Sequence, residues 1–256
     1  MKLRTIEGIG YLAGNWPPDP AKSTIFFIHG AGGSGRFWQA QVEGLAARMN
    51  TIALDLPGHG RSGVNGCDTI EDYARSVMDF INALHVSNPV LCGISMGGAI
   101  VQEILIDSPD YASAGILIGT GCTMQVAPFI FENIESDYHG FVELLAKLSS
   151  SKKTQRHLVL PFREDLAECK PAVTRGDFHA CDSFDVTERL AAIKVPVLVL
   201  TAEDDKLTPP AFGEFLANTI NRASRVHIMD AGHIAPMEKP DEINQAIIEF
   251  LARTGL

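Results

Sequence analysis

The segment VLCGISMGGAIVQEIL, Val90–Leu105, sets a short apolar run directly against a helical pattern, with one serine at the join. VLCGI reads as a strand buried on both faces, and AIVQEIL as the helix that follows it. Between them lies G-x-S-x-G, from Gly93 to Gly97. A strand that turns sharply into a helix leaves no room for bulk beside the turn, and Gly93, Gly97 and Gly98 supply that emptiness. Such a turn lifts the Ser95 hydroxyl above the sheet edge, and the helix N-terminus favours negative charge developing there. The plainer alternative is an ordinary glycine-rich strand-to-helix turn with a capping serine, so the rest of the chain has to decide.

Outward from this point the alternation repeats. Strands are predicted at Ile25–Ile28, Thr51–Leu54, Pro89–Ile94, Ala114–Gly119, Val197–Thr201 and Arg225–Met229, with an edge hairpin of Leu3–Ile6 and Tyr11–Ala13. Helices are predicted over Phe37–Met49, Thr69–Leu84, Gly98–Asp107 and Asp241–Arg253. The first carries Trp38, Val42, Leu45 and Met49 on one face, and the second starts with a Thr69–Asp72 capping arrangement. This is the pattern of an α/β protein, a mostly parallel central sheet flanked by helices. Residues 122–193 break the rhythm: they lack a strand pattern and hold short helical pieces such as Gly140–Ser149. We read 1–121 and 194–256 as one α/β core and 122–193 as a helical insertion.

A net charge of −10 argues against broad affinity for nucleic acid or anionic lipid. No stretch approaches about 18 uninterrupted apolar residues, so no membrane insertion is expected, and MKLRTIEGIGYLAG lacks the apolar run of a secretory signal. The five cysteines, Cys67, Cys92, Cys122, Cys169 and Cys181, form no CxxC or paired metal spacing. They fit reduced thiols in a cytoplasm and predict neither a disulfide framework nor a metal site.

A serine hydroxyl needs a base within hydrogen-bond reach. Of eight histidines, His85 and His227 sit in or beside predicted elements, His139, His157 and His179 fall in the insertion, and His29 and His59 belong to turns. His233 lies in the loop between the last strand and the last helix and is the candidate base. A carboxylate must orient it. Glu203, Asp204 and Asp205 follow the strand Val197–Thr201, and the residues alone leave a choice among the three; the Gly119–Cys122 loop offers no acid. The small residues of His29–Gly33 let backbone approach a reacting oxygen, so the N–H groups of Ala31 and Met96 are the candidate oxyanion hole, with Gly30 and Gly32 against the substrate. The chain has no Walker lysine and no G-x-G-x-x-G in dinucleotide-binding register, so phosphate binding is not expected.

With these residues assembled, the chain resembles the α/β-hydrolase superfamily over nearly its whole length, as a serine esterase- or lactonase-like member. The resemblance rests on His29-Gly30, on DLPGHGRS at Asp55–Ser62, on GISMGG at Gly93–Gly98, on Asp205 with Pro209, and on Gly232-His233. The chain order of serine, aspartate and histidine is also the family's. In that family the acid stands three residues after a small residue and four before a proline, which selects Asp205; Ala202 replaces the usual glycine. The resemblance implies the α/β-hydrolase fold, loop-bracing roles for Asp55 and His59, a helical cap at 122–193, and no metal or organic cofactor.

It further implies acyl transfer through an acyl-Ser95 intermediate on a small-molecule carboxylic ester or lactone. Phe129, Ile130, Phe131, Phe141, Leu144 and Leu145 are then candidates to line the pocket or to pack the cap itself. The same triad would serve a C–C bond hydrolase of a dienoic ketone acid, with Arg163 or Arg175 holding the substrate carboxylate. It would also serve an acyltransferase or thioesterase. In a different class, the fold can act as a ligand-binding receptor without turnover.

Overall fold

The computed structural model describes residues 2–256. Its eight strands are β1 (Lys2–Ile6), β2 (Ile9–Ala13), β3 (Thr24–Ile28), β4 (Asn50–Leu54), β5 (Val90–Ile94), β6 (Ala114–Ile118), β7 (Val197–Ala202) and β8 (Ala223–Ile228). They form one sheet in the order β1-β2-β4-β3-β5-β6-β7-β8. The first two strands make an antiparallel hairpin that joins β4 antiparallel, and every other pairing is parallel. Glu7 and Gly8 turn that hairpin with φ of 48° and 80°, the positive pair that a two-residue turn needs to match strand twist.

The helices are α1 (Gln39–Leu45), α2 (Ile70–Ala83), α3 (Met96–Asp107), α4 (Pro128–Ser136), α5 (Tyr138–Ser149), α6 (Arg156–Glu168), α7 (Pro171–Ser183), α8 (Pro210–Thr219), α9 (Ala235–Glu238) and α10 (Pro240–Thr254). Strand side chains alternate between faces, so β3 feeds two cores. Phe26 and Ile28 pack with Tyr73, Val77 and Phe80 of α2 and with Ile100 of α3. Ile25 and Phe27 pack on the other face with Val42 and Leu45 of α1 and with Ile243 and Ile247 of α10. Burial on both faces is why β3, β5, β6 and β7 read as largely apolar runs, while β4 opens with the buried polar pair Asn50 and Thr51.

The chain leaves β3 toward β4 on one side and leaves β5 toward β6 on the other. Such a reversal opens a crevice at the carboxyl ends of the two strands, where ligands of open α/β sheets bind. Four helices, α4 to α7, lie between β6 and β7 in sequence. Where the chain enters and leaves this stretch, Thr123 and Asp185 form an isolated antiparallel bridge, and the Val186 N–H donates to the Cys122 carbonyl at 2.9 Å.

Two expectations are corrected. The single helix over Phe37–Met49 is instead a 3₁₀ turn at Gly35–Trp38 followed by the shorter α1. The Ser34 side chain accepts from the Arg36 N–H and starts the chain in the tighter winding, while Met49 stays buried beyond the helix end. The last strand runs Ala223–Ile228 rather than Arg225–Met229, and Met229 is exposed. As an edge strand β8 has only partial cover, so its pattern marks its ends poorly. Among the described residues no helix is long and apolar enough to cross a membrane.

Candidate active site

Ser95 sits between β5 and α3 with φ 53° and ψ −122°. A side-chain-bearing residue in that region costs about 1–3 kcal/mol and persists only where its surroundings enforce it. Here they do. A Cβ on Gly93 would overlap the Gly97 carbonyl, one on Gly97 would overlap the Ile28 carbonyl, and one on Gly98 would press into Thr120. The Ser95 N–H donates to the Ile118 carbonyl at 3.0 Å, and the Thr120 hydroxyl donates to the Ser95 carbonyl at 2.9 Å. The turn is thus pinned to β6 from both sides of its peptide.

His233 lies 25 residues and more beyond its partners in sequence but meets them directly. Its Nδ1 is 2.9 Å from Asp205 Oδ2 and 3.1 Å from the Thr208 hydroxyl. Asp205 is buried and accepts from the N–H groups of Leu207 and Thr208 at 2.9 Å each and from the Thr208 hydroxyl at 2.8 Å. Burial raises its carboxyl pKa, but the His233 charge and hydrogen bond and the two Thr208 bonds outweigh that and hold it below the ordinary range. The neighbouring acids are engaged elsewhere: Asp204 accepts from the Ser151 hydroxyl, and Glu203 from the Asp230 N–H at 3.0 Å. Of the three acids, Asp205 is the one that reaches His233.

Two contributors escaped the sequence reading. Thr208 touches both Asp205 and His233, and only the short spacing from Asp205 hinted at it. Gly119 follows β6 with φ 48°, and a Cβ there would stand 3.1 Å from Asp205 Oδ2 and 3.3 Å from His233 Nδ1. The His233 loop is also held by α5: the Ile234 N–H donates to the Ser149 carbonyl at 3.1 Å, and Glu238 accepts from the N–H groups of both Gly232 and Ser151.

Opposite Ser95 runs the loop after β3. A Cβ on Gly30 would lie 3.2 Å from Ser95 Cβ, so this glycine permits the close approach. The N–H groups of Ala31 and of Met96, the first residue of α3, have no protein acceptor among the described residues. His29 Nδ1 faces the Gly30 carbonyl at 2.8 Å while Nε2 accepts from the Leu56 N–H at 3.0 Å, which fixes a neutral Nδ1–H tautomer. Burial, with His59 beside it, pushes the His29 pKa well down.

Ser95, His233, Gly30 and Ala31 share a cavity of about 530 Å³. Its remaining walls are largely apolar, including Phe37, Phe129, Ile130, Leu145, Leu148, Phe162, Phe178 and Phe212. Gly32 and Phe141, expected against the substrate, are not in the lining. The Gly32 N–H donates to Asp177 of α7 at 2.8 Å, and Phe141 is fully buried between Tyr138 and Phe178. Arg163 and Arg175 are also outside the lining, paired with Glu143 and Glu135. Among the described residues no carboxylate lines the cavity, and Lys206 is its one permanent cation.

Fold, elbow and cavity together describe an α/β hydrolase. The model of the alpha/beta hydrolase family matches residues 25–246, and the chain belongs to that family. Among its relatives, 3-oxoadipate enol-lactonase 1 of Acinetobacter baylyi is 27% identical over 89% of this chain and 88% of its own length. The 2-hydroxy-6-oxo-6-phenylhexa-2,4-dienoate hydrolase of Comamonas testosteroni is 29% identical over 89% and 87%. The crystal structure of an enol-lactonase from Burkholderia xenovorans superposes with a TM-score of 0.89 at 21% identity, covering 98% of this chain and all of that one, a likeness of fold.

Proposed function

We propose that this hydrolase cleaves a carboxylic ester or lactone through an acyl-Ser95 intermediate. His233 takes the Ser95 proton as Oγ attacks the carbonyl carbon. The Ala31 and Met96 N–H groups receive the oxyanion, and the tetrahedral intermediate collapses as His233 returns the proton to the departing alkoxide. Water then repeats the sequence on the acyl-enzyme, with His233 again as base. Asp205 keeps the imidazole oriented through Nδ1, leaving Nε2 for Ser95. The observation that carries this reading is the opening of Ser95 and of an Asp205-anchored His233 onto one cavity. The apolar walls suit an apolar acyl group, and residues 122–193 act as its cap. The enol-lactonase among the relatives supports the lactone option.

A C–C bond hydrolase of a dienoic ketone acid is the second reading. Its support is Lys206, a cation on the cavity wall with no carboxylate beside it in the lining, and the dienoate hydrolase among the relatives. The test is labelling with a fluorophosphonate followed by a substrate panel of alkyl esters, lactones and one dienoic ketone acid. Label on Ser95, its loss in Ser95→Ala, and turnover of the esters or lactones are expected. Label that survives in Ser95→Ala would sink the mechanism. Turnover confined to the ketone acid would select the second reading.

A further inference from the structure

The loop that faces Ser95 is held from the insertion side by buried carboxylates. Asp165 of α6 accepts from the Ser34 hydroxyl at 2.7 Å and pairs with Arg36. Asp177 of α7 has no exposed surface and accepts three hydrogen bonds. The Gly32 N–H and His59 Nε2 reach its Oδ2 at 2.8 Å each, and the Tyr73 hydroxyl reaches Oδ1 at 2.5 Å. His59 Nδ1 faces the Pro57 carbonyl at 3.0 Å, so both ring nitrogens have acceptors and the ring carries its second proton. Burial disfavours that charge, yet Asp177 reverses the balance and lifts the His59 pKa well above the ordinary value. The result is a buried ion pair whose carboxylate joins four parts of the chain: the loop after β3, the turn after β4, the helix α2 and the insertion.

We propose that Asp177 is a positioning residue for the oxyanion hole: by fixing the Gly32 N–H, it aims the adjacent Ala31 N–H at the reacting oxygen. This rests on the reading of Ala31 as an oxyanion donor. Gly32 has φ 66°, and a Cβ there would press on Leu166 and approach Thr174. The peptide therefore turns tightly against the insertion, with the Asp177 carboxylate as the polar contact of its N–H. Asp177 touches no cavity surface itself. Its effect on rate has to pass through the loop, where a shift of about 1 Å costs on the order of 100-fold.

The experiment compares Asp177→Ala, Asp177→Asn and Asp165→Ala with the wild type on one ester. It measures kcat, KM, melting temperature and affinity for an alkyl boronic acid, whose tetrahedral adduct places an oxygen in the oxyanion hole. Asp177→Ala should lose roughly 10- to 100-fold in kcat with KM nearly unchanged, and boronate affinity should fall in step. Asp177→Asn keeps an acceptor for the Gly32 N–H and should recover most of kcat. Asp165→Ala, whose loop partner Ser34 lies three residues from Ala31, should lower the melting temperature more than kcat. A folded Asp177→Ala with wild-type kcat, or with a raised KM alone, would overturn the proposal. If Asp177→Ala does not fold, Tyr73→Phe decides. It removes one support of the same carboxylate and should lower kcat and boronate affinity together, and wild-type values for both would overturn the proposal. Ser95→Ala run in parallel separates the failures. Turnover surviving there breaks the functional reading, whereas turnover lost there but intact in Asp177→Ala breaks only this one.

Discussion

The floor of the cavity and its roof are built in opposite ways. The floor is backbone: three glycines around Ser95 leave no space for a methyl group, and Ser95 holds a strained φ against carbonyls of neighbouring strands. The roof is side chain: Ile130, Leu145, Leu148, Phe162 and Phe178 stand on the four helices α4 to α7 around an open volume. A backbone floor fixes where the reaction happens and has almost no tolerance. A side-chain roof can change shape residue by residue without moving Ser95. Changes to the floor should therefore alter whether the protein works, and changes to the roof on what.

The sharpest test of this contrast is Asp205, the proposed triad acid, whose carboxylate is held by backbone N–H groups of its own loop. Asp205→Asn should preserve the fold and lower kcat by up to about 10,000-fold, since an amide favours the wrong imidazole tautomer. Asp204→Asn, which keeps an acceptor for the Ser151 hydroxyl, should stay within roughly tenfold of the wild type, as a support rather than a triad member. Steady-state kinetics on one ester compares the two, and losses in the reverse order would move the acid to Asp204.

Gly97→Ala should come next. Its Cβ would overlap the carbonyl oxygens of Ile28 and His29, and overpacking of this kind costs about 3 kcal/mol. Urea titration measures it, and a change under about 0.5 kcal/mol would show that the floor yields after all. In the roof, Phe162→Ala should shift the preference between long and short acyl chains by about tenfold, within the roughly 1–3 kcal/mol that a methylene commands in a pocket. Equal loss on every chain length would make Phe162 a packing residue only.

The smallest expected effect is on stability against pH. Asp205, held below its ordinary 3.8, stabilises the fold above that pH, and the contribution is lost as pH falls through its lower folded value. His59, lifted above 6.5, stabilises fully below that pH, and the contribution is lost as pH rises through its folded value. The melting temperature should therefore decline at both ends. In His59→Gln the alkaline decline should weaken and the acid one persist; an unchanged alkaline limb would refute the assignment.

The floor was legible in the sequence because its determinants are local. Glycines flanking one serine, a histidine in a short loop before the last helix, and three adjacent acids all sit within a few residues of a strand end, and the family resemblance chose Asp205 among the three. The central strands β3, β5, β6 and β7 showed themselves through largely apolar runs. What stayed hidden depends on distant contacts. Asp177 meets Gly32 across 145 residues, and nothing near either one announces the other. Phe141 was read toward the substrate because an apolar residue on a short helix has two faces to choose from, and here the face toward Tyr138 and Phe178 won. Lys206 was passed over for Arg163 and Arg175, whose surface partners Glu143 and Glu135 are visible only once the helices are packed.

The bridge between Thr123 and Asp185 brings the two ends of the four-helix stretch α4 to α7 to neighbouring positions. A segment whose ends already touch imposes no strain on the sheet that carries it, whatever its length or internal order. Such a segment is a cassette: it can be shortened, lengthened or exchanged at one doorway while β6 and β7 remain paired. Any replacement still has to offer a carbonyl where Ser149 meets Ile234 and an acceptor where Asp177 meets Gly32. Around those contacts, a lineage can try new roofs over an unchanged Ser95.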